Sequence, residues 1–303
     1  MEWLRGGNES PTAEGYCSEV TPSIQASDLR FSYGDKIAVD GVSLDVAPGE
    51  VLGFLGPNGA GKSTTIKMLT GQLTPNSGTI SLLGMDMSSD RESIQARMGV
   101  CFEEKNHYNK MSGRENLEFF GRLFDIADLD IDSLLEKVDL IDRADDRVAS
   151  YSKGMRQRLM IARTISNQPD VLFFDEPTDG LDPVSAKAIR GIIKGEAERG
   201  AAVLLTTHDM MEADMMSGRV SFIDEGRVLI TDTPENLKLA YGKRNVRVRS
   251  RNDGEVEEVI IPMDENGAGE RLRGLVTDNV MTIHTEEATL EDIFIQMAGR
   301  GLE

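Results

Sequence analysis

No stretch of this 303-residue chain approaches the about 20 consecutive apolar residues that a helix needs to cross a bilayer. Any membrane partner is therefore expected to be a separate polypeptide. Cysteine is nearly missing: Cys17 and Cys101 are the only two. Neither has the spacing of a metal ligand set, so free thiols in a reducing cytosol are expected. Positive charge is scarce, with 33 Lys and Arg against 52 Asp and Glu and a net charge of −19. Such a field repels nucleic acid, and none is expected as a partner. One basic run departs from it: Lys243, Arg244, Arg247, Arg249 and Arg251. The last three alternate with Val246, Val248 and Ser250, which puts them on one solvated face of a strand. The opening MEWLRGGNESPTAEGYCSEV lacks a basic segment followed by an apolar one. It is expected to be no secretory signal, and residues 1–23 are expected to form a loosely attached tail. There is no internal repeat and no low-complexity tract.

What the chain does carry is GPNGAGKST at residues 56–64. Gly56, Gly61, Lys62 and Ser63 satisfy the spacing G-x-x-x-x-G-K-S/T of a P-loop. The apolar run Val51–Leu55 leads in and a helix-like run, Thr64 to Leu73, leads out, which is the strand–loop–helix setting such a loop requires. Glycines let the backbone wrap a polyphosphate, and the helix N-terminus offers free N–H groups to the anion. The binding segment is thus Gly56, Pro57, Asn58, Gly59, Ala60, Gly61, Lys62, Ser63 and Thr64. Lys62 is expected to reach the β- and γ-phosphates, and the Ser63 hydroxyl to ligate Mg²⁺.

Around this loop the hydropathy pattern predicts an α/β fold. Residues 24–50 alternate around turn signals and read as antiparallel strands, and Thr79–Leu83 reads as another. From about 91 to 168 the pattern is mostly helical, with a strand near Met98–Phe102 and with Leu117, Phe120 and Phe124 on one helix face. Strands at Val171–Phe174 and Ala202–Thr206 flank a helix near Ser185–Arg199, a βαβ unit that implies a parallel sheet. Val220–Asp224 and Arg227–Ile230 read as a hairpin. Composition shifts at Pro234; beyond it strands near 246–249, 256–261 and 280–285 and helices near 268–275 and 289–297 make a small α+β appendage.

The strand Val171-Leu172-Phe173-Phe174 ends in Asp175 and Glu176. A buried parallel strand reads as a continuous apolar run and carries active groups at its C-terminal end. Asp175 is placed to hold Mg²⁺ through its water shell, and Glu176 to orient and polarise an attacking water. Upstream, Ser152 in Tyr151-Ser152-Lys153-Gly154-Met155 is a good helix N-cap.

The P-loop, this segment, the acidic strand, Thr178-Asp179-Gly180-Leu181-Asp182-Pro183 and Thr206-Thr207-His208 follow one another in the order found in ATP-binding cassette (ABC) transporter ATPases. The resemblance covers about residues 24–232, the ATPase domain, with its helical subdomain at about 91–168; residues 233–303 are the C-terminal extension. YSKGM at 151–155 resembles the LSGGQ signature. Too few residues separate Lys62 from Ser152 for the coiled-coil insertion of the related chromosome-maintenance ATPases. The resemblance implies a P-loop NTPase core, with parallel sheet and antiparallel β subdomain. It also implies hydrolysis of ATP with Mg²⁺ and action as two cassettes, homo- or heterodimeric, facing head to tail. It implies that Tyr33 stacks on adenine, Glu176 is the catalytic carboxylate and His208 contacts the γ-phosphate. Asp182 would communicate across the dimer, and Ser152, Lys153, Gly154 and Met155 would serve the partner's nucleotide. At the Q-loop stands Glu103 instead of glutamine, a carboxylate able to ligate Mg²⁺. The ending Ala288-Thr289-Leu290-Glu291-Asp292-Ile293-Phe294 resembles ATPases of ABC-2-type multidrug and antibiotic exporters. It points to an exporter subunit on the inner face of the cell membrane, docked on a separate permease by the helical subdomain and the Glu103 loop. The alternatives are a weakly hydrolysing regulatory cassette of a heterodimer and a non-transport ABC ATPase acting on ribosome or DNA. Met210, Met211, Met215 and Met216, following His208 on a helix, read as packing residues and not as a soft-metal site.

Overall fold

The computed structural model describes residues 21–102, 106–126, 128–242, 245–252, 255–263, 265–277, 279–286 and 288–299. The chain opens with β1 (Ile24–Tyr33) and β2 (Lys36–Val46), paired antiparallel. Next comes β3 (Val51–Leu55), buried along its whole length, which runs through the glycine loop into α1 (Lys62–Leu69). The hairpin β4 (Ser77–Leu82) and β5 (Met85–Asp86) returns to pair with β1. After α2 (Arg91–Gln95) and β6 (Met98–Cys101), the chain enters α3 (Gly113–Leu123), α4 (Ile131–Lys137), two short 3₁₀ turns and α5 (Lys153–Thr164). Then follow β7 (Val171–Asp175), α6 (Pro183–Glu198), β8 (Ala202–Thr207), α7 (Met210–Met216) and the hairpin β9 (Arg219–Asp224)–β10 (Arg227–Asp232). The last elements are α8 (Pro234–Tyr241), β11 (Asn245–Asn252), β12 (Glu255–Pro262), α9 (Ala268–Leu275), β13 (Val280–Glu286) and α10 (Leu290–Ala298).

Three sheets result. One is antiparallel, in the order β2-β1-β4-β5; the central one runs β10-β9-β3-β8-β7-β6; the third is β12-β11-β13. In the central sheet β9, β3, β8, β7 and β6 are mutually parallel, and only β10 runs against them. Its inner strands bury both faces, so they read as unbroken apolar runs. Along β7, Leu172 and Phe174 enter a core shared with α5 and α6. Val171 and Phe173 enter the opposite core, with α1 and the antiparallel sheet. The strand–loop–helix of the P-loop, the βαβ unit and the β9–β10 hairpin stand as the hydropathy pattern predicts. The hairpin turn holds Glu225 and Gly226 at φ +47 and +77, the left-handed pair that suits the twist of the strands.

Three readings differ from the structure, the third being that of the methionines below. The pattern did not mark α8, although Thr233 caps it by accepting from Asn236 N at 3.1 Å and Pro234 opens its first turn. The aromatic face of α3 is also not a core face throughout. Leu117 is buried, Phe120 is half-buried, and Phe124 is 62% exposed. Phe120 and Phe124 still share a side, with stacked rings 6.2 Å apart. Periodicity reported the shared face correctly, but no other part of the described chain covers its end.

Of the basic run, Lys243 and Arg244 lie outside the described residues, as do Cys17 and the tail up to residue 20. In β11, Val246, Val248 and Ser250 are buried while Arg249 and Arg251 face solvent. Glu258 across the strand pair pairs with Arg247 at 2.8 Å and Arg249 at 3.3 Å. The packing reading of the four methionines holds for Met210 and Met216, which are buried, and fails for Met211 and Met215, which lie on the exposed face of the helix. Among the described residues no helix is long and apolar enough to cross a membrane.

Candidate active site

Parallel strands all deliver their C-terminal ends to the same edge of the sheet, and the site is built there. β3 delivers the glycine loop, β7 delivers Asp175 and Glu176, and β8 delivers His208. The loop needs its glycines for two reasons. Gly61 has φ +109, which L side chains rarely adopt. A Cβ on Gly56 would lie 2.1 Å from the Ile223 carbonyl oxygen, so the loop passes against β9 with no room for a side chain.

A cavity of about 330 Å³ opens over this loop. Pro57, Asn58, Gly59, Gly61, Lys62, Ser63 and Thr64 line it, together with Tyr33, Glu176, Asp179 and His208. Gly56 and Ala60 are buried behind it. Lys62 is itself buried and donates to the Gly56 carbonyl at 2.5 Å. Its ammonium lies 3.2 Å from Glu176 Oε1. The other carboxylate oxygen of Glu176 faces His208 Nδ1 at 2.9 Å. Three segments, centred on residues 62, 176 and 208, thus converge on one carboxylate.

Glu176 stands at φ +50, a left-handed backbone that a non-glycine residue holds only against strain. Its N–H donates toward Thr206, 3.2 Å from both the carbonyl oxygen and the side-chain oxygen. The Thr206 hydroxyl also donates to Asp175 Oδ1 at 2.6 Å. Ser63 Oγ is 3.3 Å from that same Asp175 oxygen. Thr206 was legible in the sequence only as part of Thr206-Thr207-His208, with no role. Its position, fully buried between two acidic residues, comes from the β7–β8 register that sets Asp175 opposite it.

Tyr33 ends β1, half exposed, with its ring edge-on to Phe31 at 4.9 Å. That leaves a face of the ring open beside the phosphate loop. Ser152 caps α5, accepting from Met155 N at 3.1 Å. Ser152, Lys153, Gly154 and Met155 do not line the cavity of their own chain. Lys153 instead reaches Asp179, 3.9 Å away. Gly154 is pressed against α6: a Cβ there would stand 2.5 Å from Ser185 Oγ. Asp182 caps α6, accepting from Val184 N at 3.1 Å and Ser185 N at 3.0 Å. The Ser185 hydrogen bonds hold its carboxyl below the ordinary carboxylate range. Glu103 lies outside the described residues. Lys36 and Ala38 also line the cavity, and no sequence signal marked them.

The donors present suit a magnesium ion. Ser63 Oγ and Asp175 Oδ1 are hard oxygens at the foot of the loop, too few to complete an octahedron, which leaves positions for phosphate oxygens and water. Among the described residues no cluster of three or more His, Cys, Asp or Glu forms a self-sufficient metal cage.

Residues 39–179 match the family described as ABC transporter. A fluoroquinolones export ATP-binding protein of Mycobacterium tuberculosis is 42% identical over 286 residues, spanning 93% of this chain and 95% of the relative. The chain belongs to the ABC transporter family. It is an ATP-binding export subunit and an ATPase. A daunorubicin resistance ATP-binding protein of Streptomyces coeruleorubidus is 36% identical, over 92% of this chain and 91% of that one. A Nod factor export ATP-binding protein of Paraburkholderia xenovorans is also 36% identical, over 93% and 98%. Among solved structures, an ATP-binding subunit of an ABC transporter superposes with a TM-score of 0.65 at 28% identity, covering 71% of this chain and 92% of that one. The ABC fold therefore accounts for the parallel sheet and its loop, and ATP is the nucleotide that a domain of this family binds.

Proposed function

We propose that this ABC subunit hydrolyses MgATP at Lys62, Asp175, Glu176 and His208, and that ATP-dependent pairing of two cassettes drives a separate membrane permease. The observation that carries this reading is the convergence of Lys62 and His208 on the Glu176 carboxylate at 3.2 and 2.9 Å. Lys62 and the amides at the start of α1 hold the β- and γ-phosphates. Tyr33 carries the adenine on its ring. Ser63 and Asp175 hold magnesium, which neutralises phosphate charge when bound. Glu176 orients and polarises the attacking water, and His208 contacts the γ-phosphate. Ser152, Lys153, Gly154 and Met155 stand outside their own cavity. That supports a head-to-tail pair in which they and Asp182 serve the second cassette's nucleotide. Residues 24–232 form the ATPase unit, with its helical part at about 91–168, and 233–303 the extension.

The permease docks on the helical side. A second, larger cavity of about 1150 Å³ is lined in part by Met98, Phe102, Tyr108, Phe120, Phe124 and Arg163. Arg163 lies over the Phe120 ring at 4.3 Å, and burial lowers its pKa. Leu123 and Phe124 beside it are more than half exposed. An aromatic groove of this kind suits a short amphipathic segment of a membrane protein. The subunit then works on the cytoplasmic face of the membrane. The fluoroquinolone and daunorubicin relatives put drug-like molecules first among cargoes to test.

The test has two arms. Purified protein should hydrolyse ATP only with Mg²⁺, and a permease expressed beside it should co-purify with the wild type but not with Phe124→Asp, whose nucleotide affinity is unchanged. ATP turnover indifferent to Mg²⁺ rejects the hydrolytic arm, and co-purification with Phe124→Asp rejects the docking surface.

A further inference from the structure

Among the buried carboxylates unused by the proposed chemistry, Glu212 lies next to the segments that carry it. Glu212, on the first turn of α7, is 2% exposed. Its Oε2 accepts a short hydrogen bond from the Thr178 hydroxyl and lies 3.5 Å from the Thr207 hydroxyl. Its Oε1 lies 3.6 Å from Arg190 Nη1 on α6, without a hydrogen-bond partner among the described residues. Burial raises the pKa of this carboxyl above the ordinary range, Thr178 and Arg190 opposing and Asp209 adding to the rise. A buried carboxyl costs free energy even with the Arg190 guanidinium 3.6 Å from its Oε1, so its place calls for a reason beyond packing.

The reason lies in what its two threonines flank. Thr178 follows Glu176 by two residues, and Thr207 immediately precedes His208. Glu176 is held in a strained left-handed conformation, which persists only where the surroundings over-determine it. Thr206 secures the side before it, at the end of the strand pair. Glu212 secures the side after it, through Thr178. The same α7 turn is tied back to β8, because Asp209 N donates to Thr207 Oγ1 at 3.0 Å and Glu212 N to Asp209 Oδ1 at 3.0 Å. We propose that Glu212 is a positioning residue: by clamping Thr178 against the Thr207 end of β8, it holds Glu176 and His208 in their mutual geometry. Glu212 itself does not line the cavity over the loop. The inference rests on the roles proposed for Glu176 and His208.

The experiment compares Glu212→Ala, Glu212→Gln and Thr178→Val in the full chain, measuring ATP affinity and stoichiometry, kcat, KM and the imidazole resonances of His208, one of three histidines. Glu212→Ala should lower kcat by about ten- to a hundredfold, the scale of an ångström's misplacement, with ATP stoichiometry unchanged. Glu212→Gln keeps an acceptor oxygen for Thr178 and should stay within about threefold of wild type. Thr178→Val should reproduce the alanine variant, and the double variant should be no worse than either single one. The His208 resonances should move in Glu212→Ala and return in Glu212→Gln. Unchanged kcat in Glu212→Ala, a fall matched by lost ATP stoichiometry, or a glutamine variant as poor as alanine each overturns the proposal. If Glu212→Ala does not fold, Thr178→Val against Glu212→Gln decides. If the wild type proves not to turn over ATP, the hydrolytic reading fails, and the His208 resonances still decide whether Glu212 positions it.

Discussion

The Lys62 ammonium lies 3.2 Å from the Glu176 carboxylate, with the two side chains 6% and 12% exposed, so the phosphate loop and the end of β7 meet through one secluded ion pair. Shielding from water strengthens the attraction within the pair but adds a desolvation cost that offsets it, and removing one partner leaves the other charge poorly compensated. The same two side chains flank the cavity over the loop, so a bound polyphosphate and Glu176 draw on one cation.

Lys62→Ala should therefore weaken MgATP binding by about 1.5–3 kcal/mol, roughly ten- to 150-fold in Kd, the worth of one charge-assisted contact. Titration with a fluorescent nucleotide measures it. An unchanged Kd would remove Lys62 from the phosphate site.

Glu176→Gln should bind MgATP at least as well as wild type and hydrolyse it about 10²- to 10⁴-fold more slowly, because the amide keeps the shape but accepts no proton. Sedimentation in MgATP should show a dimer that is lost when Ser152 is enlarged to Phe. Wild-type turnover in the glutamine variant would mean that another group polarises the water.

Gly56 and Gly59 separate crowding from backbone strain. An alanine at 56 meets the Ile223 carbonyl oxygen at 2.1 Å, while an alanine at 59 meets nothing within 4 Å but sits at φ +83. Gly59→Ala should lower stability by about 1–2 kcal/mol, the left-handed penalty. Gly56→Ala should cost more and abolish nucleotide binding, since backbone cannot swing aside as a flexible side chain can. Denaturant midpoints and nucleotide titration rank the two; the reverse order would refute the crowding argument.

Phe294 joins the last helix to the central sheet. Fully buried, it meets Phe222 of β9 edge-on at 5.5 Å, in a core with Leu55, Met210 and Ala213. Phe294→Ala should lower the unfolding free energy by about 3–5 kcal/mol. Chemical denaturation should show an earlier midpoint. A shift of under about 1 kcal/mol would mean that the helix packs only loosely, because a filled aromatic site in a tight core costs several times that to empty.

Acid should weaken the start of α6. The Ser185 hydrogen bonds lower the Asp182 carboxyl pKa. A depressed folded-state pKa gives stability that is present above the unfolded value and lost as pH falls through the folded one. Wild type should therefore exceed Asp182→Ala in stability at neutral pH, and the gap should close in acid. Denaturation at both conditions tests it. A gap that persists in acid would mean that the cap acts independently of its charge.

Much of this site was legible because its signals are local. The G-x-x-x-x-G-K-S/T spacing, the apolar strand before it and the acidic pair after Val171–Phe174 each depend on neighbours in sequence, and each stands where the pattern placed it. The α3 face was legible only halfway: spacing says which residues share a side, and Phe124 is exposed because nothing in the described chain covers it. Thr206, Thr178 and Glu212 gave no signal of their roles, since each acts across roughly thirty residues of chain. Lys36 and Ala38 entered the cavity only through the fold.

By itself the sequence determined the elements, the phosphate loop and the identity of the acidic and basic groups, because backbone sterics, residue polarity and strand or helix periodicity act over a few residues. Tertiary structure alone decided that Lys62, Glu176 and His208 share one carboxylate. It also decided that Ile223 forbids a side chain on Gly56 and that Glu212 lies between Thr178 and Thr207. Those relations follow from the strand order β9-β3-β8-β7, and that order is set by burial of both sheet faces at once, a property of the whole core and not of any one segment.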